Sequence, residues 1–348
     1  MRITFIAQCL LAAALIWTPA ALAGDKQQVV TTTSDLASIA QAIGGDHVQA
    51  KSICTGQEDP HVLQAKPSFI MLARNADLWI RIGMELEIGW ENPVIDGSRN
   101  RKIRVGAGGH LDASEGVLRL DVPSGQKIDR SMGDVHPLGN PHYWLDPWNG
   151  RIVAQAIRDR LKTLDAARGA DYEANCAAFI KKLDEGMFGA ALVEKFGGEA
   201  LWRMELAGAL DAGLKEKNAA DQLAGWAGKL RPYRGTKILT YHKSWIYFTN
   251  RFGLSIVGEL EPKPGIPPSP GHLAQIVETA KTGGGKLILV EPFYEKKGPK
   301  FVAERAGIPV VEAANSTGGV AEASDYVAML EQVVTRVTGA LQGKGITP

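Results

Sequence analysis

The sequence predicts an α/β fold made of two lobes, each built on a parallel sheet. Three observations carry this. Short β-branched or apolar runs alternate with helix-period segments in the first part of the chain, and the same alternation restarts near residue 233. A long, strongly helical stretch separates the two regions. At 348 residues the chain is long enough for two ordinary lobes.

The elements follow in order. Residues 28–33 form a β-branched run, followed by a helix over 34–43 that Gly44 and Gly45 stop. A second strand is expected over 47–53, a short helix over 67–75, a third strand over 77–82 and a helix over 84–93. The stretch 97–140 is rich in Gly, Pro and Ser, with short strands expected near 103–105 and 117–121. Helical spacing then dominates 149–164, 170–183 and 200–229. The second alternation reads as strands at 236–241, 255–257, 286–290 and 308–311. Helices fall at 244–252, 269–281, 296–306 and 325–341, with Pro270 in the first turn of its helix. The expected division is a leader over 1–23, an N-terminal lobe over 24–165, a linking helical region over 166–232 and a C-terminal lobe over 233–348.

Composition narrows the class. The formal net charge is +1 and the basic residues are dispersed, which argues against a nucleic-acid partner. Met1-Arg2, an apolar run to about Trp17 and Ala21-Leu22-Ala23 before Gly24 read as a secretion signal cleaved near Ala23. The run is shorter than the roughly 20 residues a membrane span needs. Cys9 lies inside that run and no small-residue cleavage site leads directly into it, so a soluble secreted protein, not a lipoprotein, is expected outside the cytoplasm; a monomer is the expected state. Cys54 and Cys176 remain, and a secreted compartment permits either a disulfide or two buried thiols.

Four residues stand where strand-like runs give way to loops or where the setting is aromatic and dry. They are His61 in EDPHVLQAKPS, His142 in GNPHYWLDP, His242 in ILTYHKSW and Glu291 in LILVEPFY. His242 and Glu291 directly follow expected strands, and His61 follows one shortly after. In parallel sheets ligands gather at the carboxyl ends of strands. Three imidazoles and a carboxylate brought together suit tetrahedral Zn²⁺. Taken singly, each histidine is equally well read as a loop or core imidazole. Of the rest, His47, His110 and His272 read as loop or surface residues. His136, six residues before His142, is a lid residue, a transient metal-catching group or a plain loop residue.

These motifs, with YHKSWIYFTNRFGL and LVEPFYEKKGPKFVAERAG, resemble the zinc- and manganese-binding solute receptors of bacterial ABC importers, the ZnuA-like family. The resemblance covers nearly all of 24–348 and implies two (β/α) lobes joined by one long helix, with a metal in the cleft. It also implies delivery to a membrane permease from the periplasm, and no catalysis. His61, His142 and His242 carry over as ligands. The usual fourth ligand is an Asp near the end of the chain, but this chain reads VVEAANSTGGV there. Glu291 is the choice, with Glu312 or a water as alternatives.

Three nitrogen donors favour Zn²⁺, with Mn²⁺ or Fe²⁺ as further possibilities. Acid should release the ion by protonating them. Asp59, Asp146 and Glu261 are the expected partners for the second ring nitrogens. The rival reading is a secreted zinc hydrolase, which three histidines and an open position would also serve, although the chain has no HExxH segment. A sugar or amino-acid receptor of similar build would not need three such histidines.

Overall fold

The computed structural model describes residues 26–124, 136–263 and 265–343. The leader over 1–23 lies outside the described residues. Among those described, no helix is long and apolar enough to cross a membrane.

The first lobe holds β1 (Gln27–Thr31), α1 (Ser34–Gly44), β2 (Val48–Ser52), α2 (Pro67–Arg74), β3 (Leu78–Arg81), α3 (Glu91–Ser98) and β4 (His110–Asp112). Helices α4 (Pro147–Leu164) and α5 (Gly169–Phe188) follow, then the short α6 (Ala190–Phe196), α7 (Gly198–Leu206), α8 (Leu210–Glu216) and α9 (Gly225–Leu230). The second lobe holds β5 (Lys237–Thr240), α10 (Ile246–Phe252), β6 (Ser255–Glu259), α11 (Pro270–Gly283), β7 (Ile288–Val290), α12 (Lys297–Ala306), β8 (Val310–Glu312) and α13 (Tyr326–Leu341).

Both sheets are parallel and have the same strand order, β2-β1-β3-β4 and β6-β5-β7-β8. The lobes are therefore topological copies, a relation the sequence does not display. Strand residues such as Leu78, Trp79 and Ile80 or Ile288, Leu289 and Val290 are buried on both faces. That is why these strands read as unbroken apolar runs and not as alternating ones. One continuous core takes in the inner faces of both sheets together with α4, α5 and α13, and each lobe has a smaller outer core of its own.

Three expectations need correction. The helix expected over 84–93 begins only at Glu91. Met84 and Glu85 are left-handed (φ 52° and 67°), and the Glu87 carboxylate accepts the N–H groups of Ile82 and Gly83. The helix then runs through Pro93, which is tolerated in a first turn where no N–H is needed. The third expected segment of the linker, 200–229, is likewise not continuous. Gly208 after α7 and Gly225 at the start of α9 take positive φ values of 65° and 60°, so the linker is α5 followed by short helices packed beside it. Finally, the fourth strand forms at His110–Asp112, not near 103 or 117.

The lobes also meet directly beside α1. Ser34 Oγ donates to the Thr317 carbonyl (2.6 Å), and Thr317 donates its N–H and hydroxyl to Asp35 Oδ1 (2.8 and 3.0 Å). Burial pushes the Asp35 carboxyl up to about 6 against the pull of those bonds. The folded protein thus holds this proton at pH values where the unfolded chain, near 3.8, has lost it. Stability must therefore fall as pH rises from about 4 to 6, by on the order of 3 kcal/mol from this group. Asp35→Asn removes the effect. Urea unfolding should show the variant gaining on the wild type between pH 4 and pH 7.

Candidate metal centre

Two of the three histidines are set by the same local device. In Asp59-Pro60-His61, the Asp59 carboxylate accepts both the His61 N–H (2.9 Å) and its Nδ1–H (2.7 Å). In Asn140-Pro141-His142, Asn140 Oδ1 accepts the His142 N–H (3.0 Å) and Nδ1–H (2.9 Å). Each is an Asx turn whose side chain reaches two residues on and also fixes the ring. The Asn140 amide is oriented by its donation to the Lys243 carbonyl in the other lobe (2.7 Å). His242 directly follows β5, and its Nδ1–H meets Glu261 Oε2 at 2.7 Å. In all three rings Nδ1 carries the proton, so Nε2 holds the lone pair.

The three rings converge. Their centroids are 5.1 Å (His61–His142), 5.4 Å (His61–His242) and 5.4 Å (His142–His242) apart. One ligating atom from each lies within 4.8 Å of the other two. His142 and His242 are buried, and Trp144 packs against the His142 ring at 5.2 Å. The Nε2 of His61 is buried with no hydrogen-bond partner among the described residues.

Glu291 follows β7 and is fully buried. Ser244 donates its hydroxyl to Oε1, while Oε2 is buried with no hydrogen-bond partner among the described residues. Its oxygens are not among the atoms that lie mutually within 4.8 Å. Burial pushes its carboxyl up to about 7, against the charge of His242 and the Ser244 bond. Glu312, the alternative, instead pairs with Lys296 at 2.8 Å and is partly exposed.

The electrostatics divide the imidazoles. Burial, reinforced by the neighbouring rings, drives His142 well below its ordinary value, so it stays neutral. Burial also opposes a proton on His242, but the Glu261 bond and the charges of Glu291, Glu261 and Asp59 outweigh it and raise the group. Asp59 is held low despite its burial, because its bonds to His61 win.

The expected ring partners are right for Asp59 and Glu261. For His142 the partner is Asn140. Asp146 instead caps α4 through the Trp148 N–H (2.9 Å) and grips Arg251. Asn140 was missed, although its Asx-Pro-His spacing repeats that of Asp59. Three of the other histidines lie elsewhere: His47 on Asp171, His110 on the Ile103 carbonyl and His272 near the Glu259 carbonyl, while the His136 ring packs on His61 with centroids 5.3 Å apart. Cys54 and Cys176 are both free and buried. Replacing a ring-holding carboxylate by an amide keeps the acceptor oxygen but removes the negative charge that raises the imidazole's basicity. Asp59→Asn and Glu261→Gln should each weaken zinc binding by roughly 10- to 100-fold in a chelator competition.

The sequence matches the family described as "Zinc-uptake complex component A periplasmic" (ZnuA) over residues 29–186 and 212–340. The chain belongs to this family. Among curated relatives, the high-affinity zinc uptake system protein ZnuA of Brucella abortus is 24% identical over 309 residues, covering 81% of this chain and 82% of that one. The manganese ABC transporter substrate-binding lipoprotein PsaA of Streptococcus pneumoniae is 24% identical over 289 residues, covering 82% and 78%. A crystal structure of ZnuA superposes with a TM-score of 0.67 at 22% identity, covering 91% of this chain and 99% of that one. The Mn-bound periplasmic metal-binding protein of Candidatus Liberibacter asiaticus gives 0.61 at 19% identity, covering 91% of this chain and 100% of that one. The two-lobed fold is thus that of the ZnuA family. The hydrolase reading finds no support among these relatives, which are named for uptake and substrate binding.

Proposed function

We propose that this ZnuA-family chain is the extracytoplasmic receptor that captures Zn²⁺ and delivers it to the permease of an ABC importer. His61, His142 and His242 hold the ion in the cleft, and Glu291 supplies the fourth donor. The convergence of three imidazoles with Nε2 lone pairs is the observation that carries this reading. The donor set is mostly nitrogen, which suits zinc and accommodates Mn²⁺ less well. Glu291 fits because a buried carboxylate oxygen without a partner is costly until a cation stands beside it. Since it lies outside the tight triad, it closes on the ion after capture. A segment that reads as a cleavable leader and a family described as periplasmic support action outside the cytoplasm. The work proposed is binding and release, without turnover.

Metal analysis of the purified mature protein should find zinc near one equivalent per chain. Stripped protein should regain stability when zinc is added. At a hundred times the dissociation constant, a ligand that binds only the folded state adds about 2.7 kcal/mol. A thermal midpoint indifferent to zinc would remove the receptor reading.

A further inference from the structure

The amino end of the first sheet carries a basic face. Strands β3 and β4 are entered from α2 and α3, so the connections at 74–77 and 99–109 lie at the amino ends of the strands. His61 stands beyond the carboxyl end of β2, which runs parallel to them, so this face and the metal centre are at opposite ends of the sheet. Arg74, Arg99, Arg101, Lys102 and Arg104 are exposed there. The acids in the same segments, 71–77 and 96–105, are Asp77 and Asp96; five basic against two acidic residues leave a formal +3, while the whole chain carries +1. Lys102 pairs with Asp77 at 2.8 Å. Among the described residues, no carboxylate lies within ion-pair distance of Arg74, Arg99, Arg101 or Arg104, whereas eight arginines elsewhere have such a partner. The bare guanidiniums are therefore gathered, not scattered.

The backbone that displays them is anchored. Asn100 Nδ2 donates to the Ala73 and Ala76 carbonyls (2.9 and 2.7 Å), which clamps the arginine turn to the end of α2. Asn100 Oδ1 accepts the Lys102 N–H (3.0 Å), an Asx turn, and the Gly109 N–H returns to the Lys102 carbonyl (3.1 Å). Arg99 caps α3 in the left-handed region (φ 55°), a place where glycine is the easier residue. Two large apolar side chains stand among the charges. Val105, 65% exposed, follows Arg104, and Met71, 53% exposed, has its Sδ 4.0 Å from Arg74 Nη1. A free phosphate would use the charges alone. Cations interleaved with exposed apolar groups suit a surface that is anionic outside and apolar beneath.

We propose that this face docks the receptor on an anionic phospholipid bilayer, with the guanidiniums on headgroup phosphates and Val105 and Met71 in the interfacial layer. The proposal rests on the extracytoplasmic reading above. No helix among the described residues is long and apolar enough to span the bilayer, so the docking is a surface contact. Because face and histidines lie at opposite ends of the sheet, the docked molecule keeps its cleft open to solvent, where zinc can enter. It is also held close to the membrane in which the permease sits. Delivery requires the cleft to turn towards the permease, so the contact must be weak enough to break. Its parts meet that need: each arginine near an anionic surface raises partition by about fivefold, and salt screens the attraction.

The test is sedimentation of the full mature protein with vesicles, in EDTA so that zinc cannot bridge protein and lipid. One set of vesicles is equal parts phosphatidylglycerol and phosphatidylcholine, the other phosphatidylcholine alone. At low ionic strength the protein should sediment with the mixed vesicles only, and about 0.5 M NaCl should release it. Arg99→Gln, Arg101→Gln and Arg104→Gln together should lower the partition by about a hundredfold. Met71→Ser with Val105→Ser should lower it by a few-fold. All five side chains are exposed, so the unfolding midpoints and zinc affinities of both variants should match the wild type. Absence of binding to the mixed vesicles, equal binding to both kinds, or unchanged partition of the triple variant overturns the proposal. Displacement by inorganic phosphate at matched ionic strength also overturns it, because the face would then be a phosphate site. Zinc affinity is measured on the same protein: its absence removes the receptor reading, whereas the vesicle results decide the docking face alone.

Discussion

His142→Ala and His242→Ala should each cost the protein at least about a hundredfold in zinc affinity. Tetrahedral zinc sites in peptides bind with apparent free energies of about 10–16 kcal/mol. Shared among four donors, this is about 3 kcal/mol for each, or roughly two factors of ten. Neither residue can be replaced by water at little cost. His142 is buried against Trp144, and its loss opens a cavity there and removes the ring N–H from the Asn140 oxygen, which keeps only the backbone N–H of residue 142. His242 leaves behind Glu261, a buried carboxylate that loses its 2.7 Å partner. Competition against a chelator of known affinity measures the loss, and circular dichroism of the stripped variants checks that the fold persists. Glu291→Ala belongs in the same series. Wild-type affinity in that variant, with the histidine variants crippled, would place the fourth donor elsewhere.

Much of this architecture was legible because parallel strands are buried on both faces and therefore stand out as apolar runs. His242 and Glu291 could be placed at the carboxyl edge of a sheet from the sequence, since each directly follows such a run. That four-stranded order repeats in both lobes was not legible, because strand order is decided by packing between distant segments. The start of α3 was misread because Leu86 and Trp90 carry helical spacing, whereas the backbone before them is bent by a buried carboxylate, Glu87, whose bonds to Ile82 and Gly83 have no sequence pattern. The linker was misread as more continuous than it is, since periodicity sees through a glycine that takes a positive φ. Asn140 shows a signal that was present and unused: Asx-Pro-His occurs twice, and the physics of the first copy applies to the second. His136, only six residues from His142, reads from the sequence as a lid residue, a transient metal-catching group or a plain loop residue, and nothing local in the sequence chooses among them. Its meaning depends on a ring contributed by residue 61 and a carbonyl contributed by residue 84.

Arg251→Met should destabilise the protein by about 3–5 kcal/mol, the usual cost of stranding one member of a buried ion pair. Arg251 Nε and Nη2 meet the two Asp146 oxygens at 2.8 Å each, and both residues are buried. The guanidinium also lies over Trp202, 5.2 Å from the ring centroid, with Glu205 3.5 Å away. The methionine fills similar volume, so the loss comes from the uncompensated Asp146 carboxylate, whose remaining partner is the Trp148 N–H at the start of α4. The consequence reaches the metal. Asp146 ends the Asn140–Asp146 segment that carries His142, and Arg251 on α10 ties that end to the second lobe, as Asn140 ties the beginning through Lys243. Released at one end, the segment must spend binding energy to be ordered again, so zinc affinity should fall along with stability. Adding Asp146→Asn to Arg251→Met removes the stranded charge while keeping an oxygen to cap α4. The double variant should recover a large part of the unfolding free energy in urea, because the two residues are coupled and their single losses do not add. Recovery of stability without recovery of zinc affinity would identify the pair as the strut that holds His142 at the cleft.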